Sequence, residues 1–129
     1  MMELICEWIA SFPGFEGYRF TVDRLDSGCH NAGLFFKGVQ VLDRRADITG
    51  VTLTRRRLSL SVLLTAAEGE NLTDAILEFS RWAESAAPQF GQQQSIHISK
   101  GGLRINDGKG VATYEIALAI DYTTEEDTL

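Results

Sequence analysis

VTLTRRRLSLSVLLTAAEGENLTDAILEFSRWAES, residues 51–85, is the stretch whose reading decides the fold. In its first half Leu58, Leu60, Val62 and Leu64 stand two apart, with Ser59, Ser61 and Leu63 between them. That period of two is the mark of a half-buried strand, and it assigns the even positions to the core. Leu53, Arg55 and Arg57 fall on the opposite face, and the change from polar 51–57 to apolar 58–64 predicts a bend near Arg57. A polar turn follows. Asn71 is suited to capping a helix, and Asp74 in the first turn complements the positive end of the helix dipole. Leu72, Ala75, Ile76, Phe79, Trp82 and Ala83 then recur at helical spacing and predict one apolar stripe, which Pro88 terminates.

Outward from this unit, residues 2–12 place Leu4, Ile5, Trp8, Ile9 and Phe12 on one side of a short helix that Pro13-Gly14 ends. Residues 18–25 alternate as a strand, and 26–33 read as a loop. Residues 34–36 and 38–45 read as two further strands, and Asp47-Ile48-Thr49-Gly50 turns the chain back, with Gly50 free to take a positive φ. Beyond the second helix, 95–99 alternates with Ile96 and Ile98 inward and His97 on the other side. Residues 103–106 and 111–122 form a hairpin around Asp107-Gly108, and Tyr114, Ile116, Leu118, Ile120 and Tyr122 make its unbroken inner row. The order α-β-β-β-β-α-β-β predicts an α+β fold, a mainly antiparallel sheet with two helices packed on one face. Residues 1–122 are expected to be a single domain, and 123–129 an acidic, solvated and disordered tail.

The chain has 129 residues, 44% of them hydrophobic and 23% charged, with a net charge of −6. An acidic chain is a poor general binder of nucleic acid. Three of the six surplus charges come from Glu125, Glu126 and Asp127. Cys6 and Cys29 have no metal-ligand spacing and read as free thiols of a reducing compartment. No basic leader opens the chain and no apolar run approaches the ~20 residues of a membrane span, so neither a signal peptide nor a membrane partner is expected.

Chemistry is sparse. The acids are scattered, neither His has a close ligand partner, and Gly101-Gly102 precedes a strand where a phosphate loop would need a helix. No catalytic residue, metal site or cofactor is expected. Cys29 and His30 are neighbours in a loop with nothing in the sequence to orient them. The unusual cluster is basic: Arg44, Arg45, Arg55, Arg56 and Arg57 fall on two strands of one hairpin. Like charges across a ladder repel, so these arginines must splay into water or meet an acidic partner. Arginine's fork suits interface ion pairs.

Four segments in order, ELICEWIASFPG (3–14), LDRRADITG (42–50) leading into a long strand, LTDAILEFSRWAE (72–84) and GGLRINDGKGVATYEIALAIDY (101–122), resemble the tail-terminator and minor-capsid proteins of long-tailed bacteriophages and prophages. The resemblance spans residues 2–122; the arginine richness of the hairpin and the acidic tail have no counterpart in it. It implies a structural protein with no enzymatic activity. Such proteins form a ring, commonly of six subunits, on the head-proximal end of the tail tube, end its polymerisation and prepare head–tail joining. Its partners would be itself, the tail tube protein and the head-connector or head-closure protein, with no specific nucleic acid. Its place would be the virion tail, assembled in the bacterial host cytoplasm. Arg44, Arg45, Arg55, Arg56 and Arg57 are then candidates for the subunit or tube interface. Two alternatives stand beside this: a neck or head-closure component, and a small dimeric α+β module holding an apolar ligand near Phe35, Phe36 and Phe90.

Overall fold

Residues 2–106 and 110–127 are described by a computed structural model. Helix α1 (Met2–Ala10) leads through a single 3₁₀ turn at Pro13–Phe15 into strands β1 (Arg19–Val22), β2 (Asn31–Ala46) and β3 (Val51–Ala67). Helix α2 (Thr73–Ala86) and strands β4 (Gln92–Asn106) and β5 (Val111–Asp127) complete the chain. The strands form one sheet in the order β1-β2-β3-β5-β4. Only the short β1–β2 pairing is parallel; β2–β3, β3–β5 and β4–β5 are antiparallel. The fold is α+β, as the alternation of strand runs and single helices predicts.

The even rows of the two central strands build the core. Leu58, Leu60, Val62 and Leu64 of β3 face the same side as Ile116, Leu118 and Ile120 of β5, and all are nearly inaccessible to water. Both helices add to that single buried cluster through Ile5, Trp8 and Ile9 and through Ile76, Phe79 and Ala83. Phe79 lies at the centre of the aromatic packing. Its ring sits 5.3 Å from Phe15, 5.5 Å from Phe12 and 5.8 Å from Trp82, and Trp82 stacks on Trp8 at 5.8 Å. Asn71 Oδ1 accepts a hydrogen bond from the Thr73 amide at 2.9 Å, so it secures the entry to α2 from just before the helix begins.

Three expectations need correction. Residues 34–36 and 38–45 are not two strands but one, because Lys37 is bulged out between Phe36 and Gly38 and the pairing with β3 resumes beyond it. Gly38 takes φ 140°, a value that the missing Cβ makes inexpensive. Three strands therefore precede α2 instead of four. Likewise 95–99 and 103–106 belong to one strand, β4, with register shifts at Ile98/Lys100 and Leu103/Ile105. Finally, the segment read as a disordered tail from residue 123 continues β5 to Asp127, where it pairs with Val51. β3 begins at Val51 and needs an outer neighbour there; Thr123 and Thr124, good strand formers, carry β5 up alongside it. The Asp107-Gly108 turn lies outside the described residues. Antiparallel pairing of β4 with β5 on either side of it gives the expected hairpin.

The helices cover only part of this long sheet. Beyond Leu58 the outer portions of β2, β3 and β5 (residues 39–46, 51–57 and 121–127) run on as an arm ending in the turn at 47–50; the start of β4 flanks its base, with Gln92 opposite Thr123 and Ser95 opposite Asp121. Residues 39–46 of β2 are exposed throughout.

Candidate functional site

The arm carries all five arginines, and its register explains how they tolerate one another. None stands directly opposite another: Arg44 faces Thr54, Arg45 faces Leu53, Arg55 faces Asp43, Arg56 faces Val41 and Arg57 faces Gln40. A second bulge, at Leu42 between Val41 and Asp43, sets this register and brings the acid opposite Arg55. The expected cross-strand repulsion is thus avoided by registration.

Strand alternation then divides the arginines between the two faces of the arm. Arg45, Arg55 and Arg57 share the face turned away from the helices. There Arg57 forms a two-point contact with Asp121, Nε to Oδ1 at 2.8 Å and Nη2 to Oδ2 at 2.9 Å. Asp121 is only 4% exposed. His97 Nε2 approaches the same Oδ2 at 3.3 Å and also meets Ser95 Oγ at 3.1 Å. The carboxyl of Asp121 is held below the usual carboxylate range, first by the hydrogen bonds from Arg57 and then by the charges of Arg57, His97 and Arg55, against the opposing effect of burial. Arg55 Nη1 donates to the Gln93 carbonyl at 3.1 Å and to Thr123 Oγ1 at 3.3 Å. Arg45 Nε reaches Asp43 Oδ2 at 2.9 Å on its own strand. Asp43, Arg45, Arg55, Gln93 and Thr123 line a hollow of about 200 Å³ that also touches Leu53. Arg44 and Arg56 belong to the other face by register.

The sequence reading did not find Asp121 as the partner of Arg57, nor the strand end beyond it as the arm's third member. The two features that stood apart from the family resemblance, the basic hairpin and the acidic tail, lie side by side: Glu125 and Glu126 are registered on Leu53 and Thr52. Glu125 Oε1 accepts from Gln92 Nε2 at 2.9 Å. Continuing the alternation of β5 past Tyr122, through Thr124 and Glu126, was the signal available in the sequence.

The turn that closes the arm is held by one side chain. Asp47 Oδ1 accepts from the Thr49 amide at 2.8 Å, the Thr49 hydroxyl at 2.6 Å and the Val51 amide at 3.1 Å. These bonds, that of the Thr49 hydroxyl foremost, hold the Asp47 carboxyl below its ordinary range. Gly50 takes φ 88°, as the turn requires. Ile48 projects from the turn fully into solvent.

A second hollow, of about 400 Å³, lies beside the 3₁₀ turn, lined by Gly14, Glu16, Tyr18, His30, Glu70 and Leu72. The sequence left His30 without an orienting group; here its Nε2 lies 2.9 Å from Glu70 Oε1. Tyr18 packs edge-on to that imidazole, and burial, with the nearby Glu70 charge, pushes its hydroxyl up to about 12. Cys29 is exposed and Cys6 partly buried, both as free thiols. The apolar-ligand alternative loses its lining: Phe35 faces Ser61 on one side of the sheet, Phe36 faces Leu60 on the other, and Phe90 packs on Trp8 at 6.4 Å.

Comparison of the chain with protein-family models and with curated proteins finds no match.

Proposed function

We propose that the chain is a structural subunit of a long-tailed phage or prophage that caps the head-proximal end of the tail tube as a ring, ends tube growth and prepares head joining. The observation that carries the reading is the pair of open sheet edges. β2 beyond Leu34 and the whole of β4 have no strand on their outer sides among the described residues. Three successive antiparallel pairings also make β4 run opposite to β2. A rotated copy can therefore set its β2 edge against β4 and continue an antiparallel sheet, and a contact between two different patches closes into a ring when the rotation divides a full turn. The resemblance of residues 2–122 to tail-terminator proteins supports the same role, with the tube protein and a head-closure protein as the other partners. We assign the contact with the tube or with the next subunit to the arm, which carries Arg44 and Arg45 at its exposed end.

Removing the gene from the parent phage tests this. The expected result is overlong or unfinished tails that fail to join heads, restored by the wild-type gene and not by one carrying Arg44→Ser and Arg45→Ser. Tails of normal length joined to heads in the deletion overturn it. The double variant is chosen because it leaves the Arg57–Asp121 contact whole.

A further inference from the structure

The molecule's charge and its exposed apolar side chains are both unevenly placed. Three acids in residues 2–16 and five in residues 68–86 face water, and Arg81 is the only cation among them. Eight carboxylates less one guanidinium leave the helices and their turns at −7, where the whole chain is −6. The rest of the chain is therefore close to neutral, with five of its arginines gathered on the arm. Helix layers of two copies repel each other, which disfavours a symmetric helix-to-helix dimer. Whatever lies on this surface must bring cations to it.

Exposed large apolar side chains mark both regions. Phe36, Val39, Val41, Leu42 and Ile48 belong to β2 and the arm's turn, while Leu4 and Leu77 stand on the helices. Leu77 is 56% exposed, with Asp74 one turn before it and Glu78 beside it. Ile48 is its counterpart on the arm: an apolar knob on a turn already fixed by Asp47, with Arg44 and Arg45 exposed on the strand leading to it. Presenting the knob on a preformed turn lowers the entropy lost on docking. The arm cannot reach its own helices. At ~3.3 Å per residue its tip stands roughly 25 Å beyond Leu58, where the buried apolar row ends.

We propose that the arm is a latch: the Ile48 turn of one copy docks on the outer face of α2 of the next copy, with Ile48 against Leu77 and Arg44 against Asp74 and Glu78. This deepens the ring reading, on which it rests, by naming the two surfaces that meet. The contact joins unlike patches, so it propagates from copy to copy.

Mixing two single-cysteine variants tests it, each in a background with Cys6→Ala and Cys29→Ser, which removes both native thiols: Ile48→Cys in one and Leu77→Cys in the other. Under mild oxidation the mixture should give a covalent heterodimer at least tenfold above the dimer formed by either variant alone, because only the proposed contact brings the two thiols together. Ile48→Asp should raise the concentration needed for self-association at least tenfold in sedimentation while leaving thermal unfolding unchanged, since the side chain is in solvent. A mixture that cross-links no better than its components overturns the latch. So does a wild-type chain that stays monomeric at every concentration, or an Ile48→Asp variant that associates normally. Acidic helix faces reserved for a basic surface of another protein would give the first of these results. The two readings fail separately: normal tails after gene deletion sink capping and leave the cross-link standing, whereas a missing cross-link leaves capping to its own assay.

Discussion

The same three strands behave differently along their length. In the body, β2, β3 and β5 carry Leu34, Leu60, Val62, Ile116 and Leu118 under two helices, and these side chains are at most 2% exposed. In the arm they carry arginines, threonines and acids; the polar Thr52, Thr54 and Thr123 are still buried there, but the β2 strand is not, and Val39 and Val41 remain 48% and 46% exposed. Both parts have full ladders between strands. A paired backbone alone therefore does not separate them; the burial of a continuous apolar row does, and apolar burial supplies most of the favourable free energy of folding a domain. The body holds the fold together, and the arm is a surface held out by it.

The largest expected effect comes from opening the body. Phe79 is fully buried among four aromatic rings, and Phe79→Ala removes the ring that joins α2 to Phe12 and Phe15. We expect a loss of ~3–5 kcal/mol in chemical denaturation. A loss below ~1 kcal/mol would show that the body is not where the stability resides, and the contrast with the arm would break.

How much of this contrast was legible in the sequence follows the same division. The rows Leu58–Leu64 and Tyr114–Tyr122 and the stripe of α2 could be read because burial on one face writes a period into a single strand or helix. The arm could not be read in this way. Lys37 and Leu42 look like ordinary strand residues, and that they are skipped depends on a register with β3 that no local pattern encodes. Asp121 looked like one polar residue among many because its partner, Arg57, is 64 residues away in the chain. Glu125, Glu126 and Asp127 are poor strand formers by composition, so they read as a solvated tail until β3 supplies a neighbour. Local periodicity reveals what faces a core; charge pairing across strands becomes visible only with the topology.

The junction of body and arm should respond to acid. Because Asp121 binds its proton less readily in the folded chain than in the unfolded one, its contribution to stability is complete above the ordinary aspartate value of about 3.9 and is lost as pH falls through the lower folded value. Asp121→Asn should lower the melting temperature near neutral pH, by less than Phe79→Ala does. The gap from wild type should stay constant down to about pH 5 and close below about pH 4. A gap that persists unchanged to pH 2 would mean that the carboxylate's charge is not what joins β5 to Arg57.

The smallest expected effect is on the arm's own apolar residues, and its smallness is what gives it value. Val39 lies opposite Leu58, the first residue of the buried β3 row, yet remains half in water because no helix reaches that far and no strand lies outside β2 there. Val39→Ser and Val41→Ser forfeit strand propensity and little buried area, so each should change the stability of the isolated chain by no more than ~0.5 kcal/mol. If the β2 edge is covered in the assembled ring, the same pair should weaken self-association far more than it weakens folding. Denaturation and sedimentation of the double variant measure the two effects separately. A stability loss as large as that of Phe79→Ala would place Val39 and Val41 in the body's core and erase the distinction. Unchanged stability together with unchanged association would leave the exposed row without a partner and remove β2 from the contact.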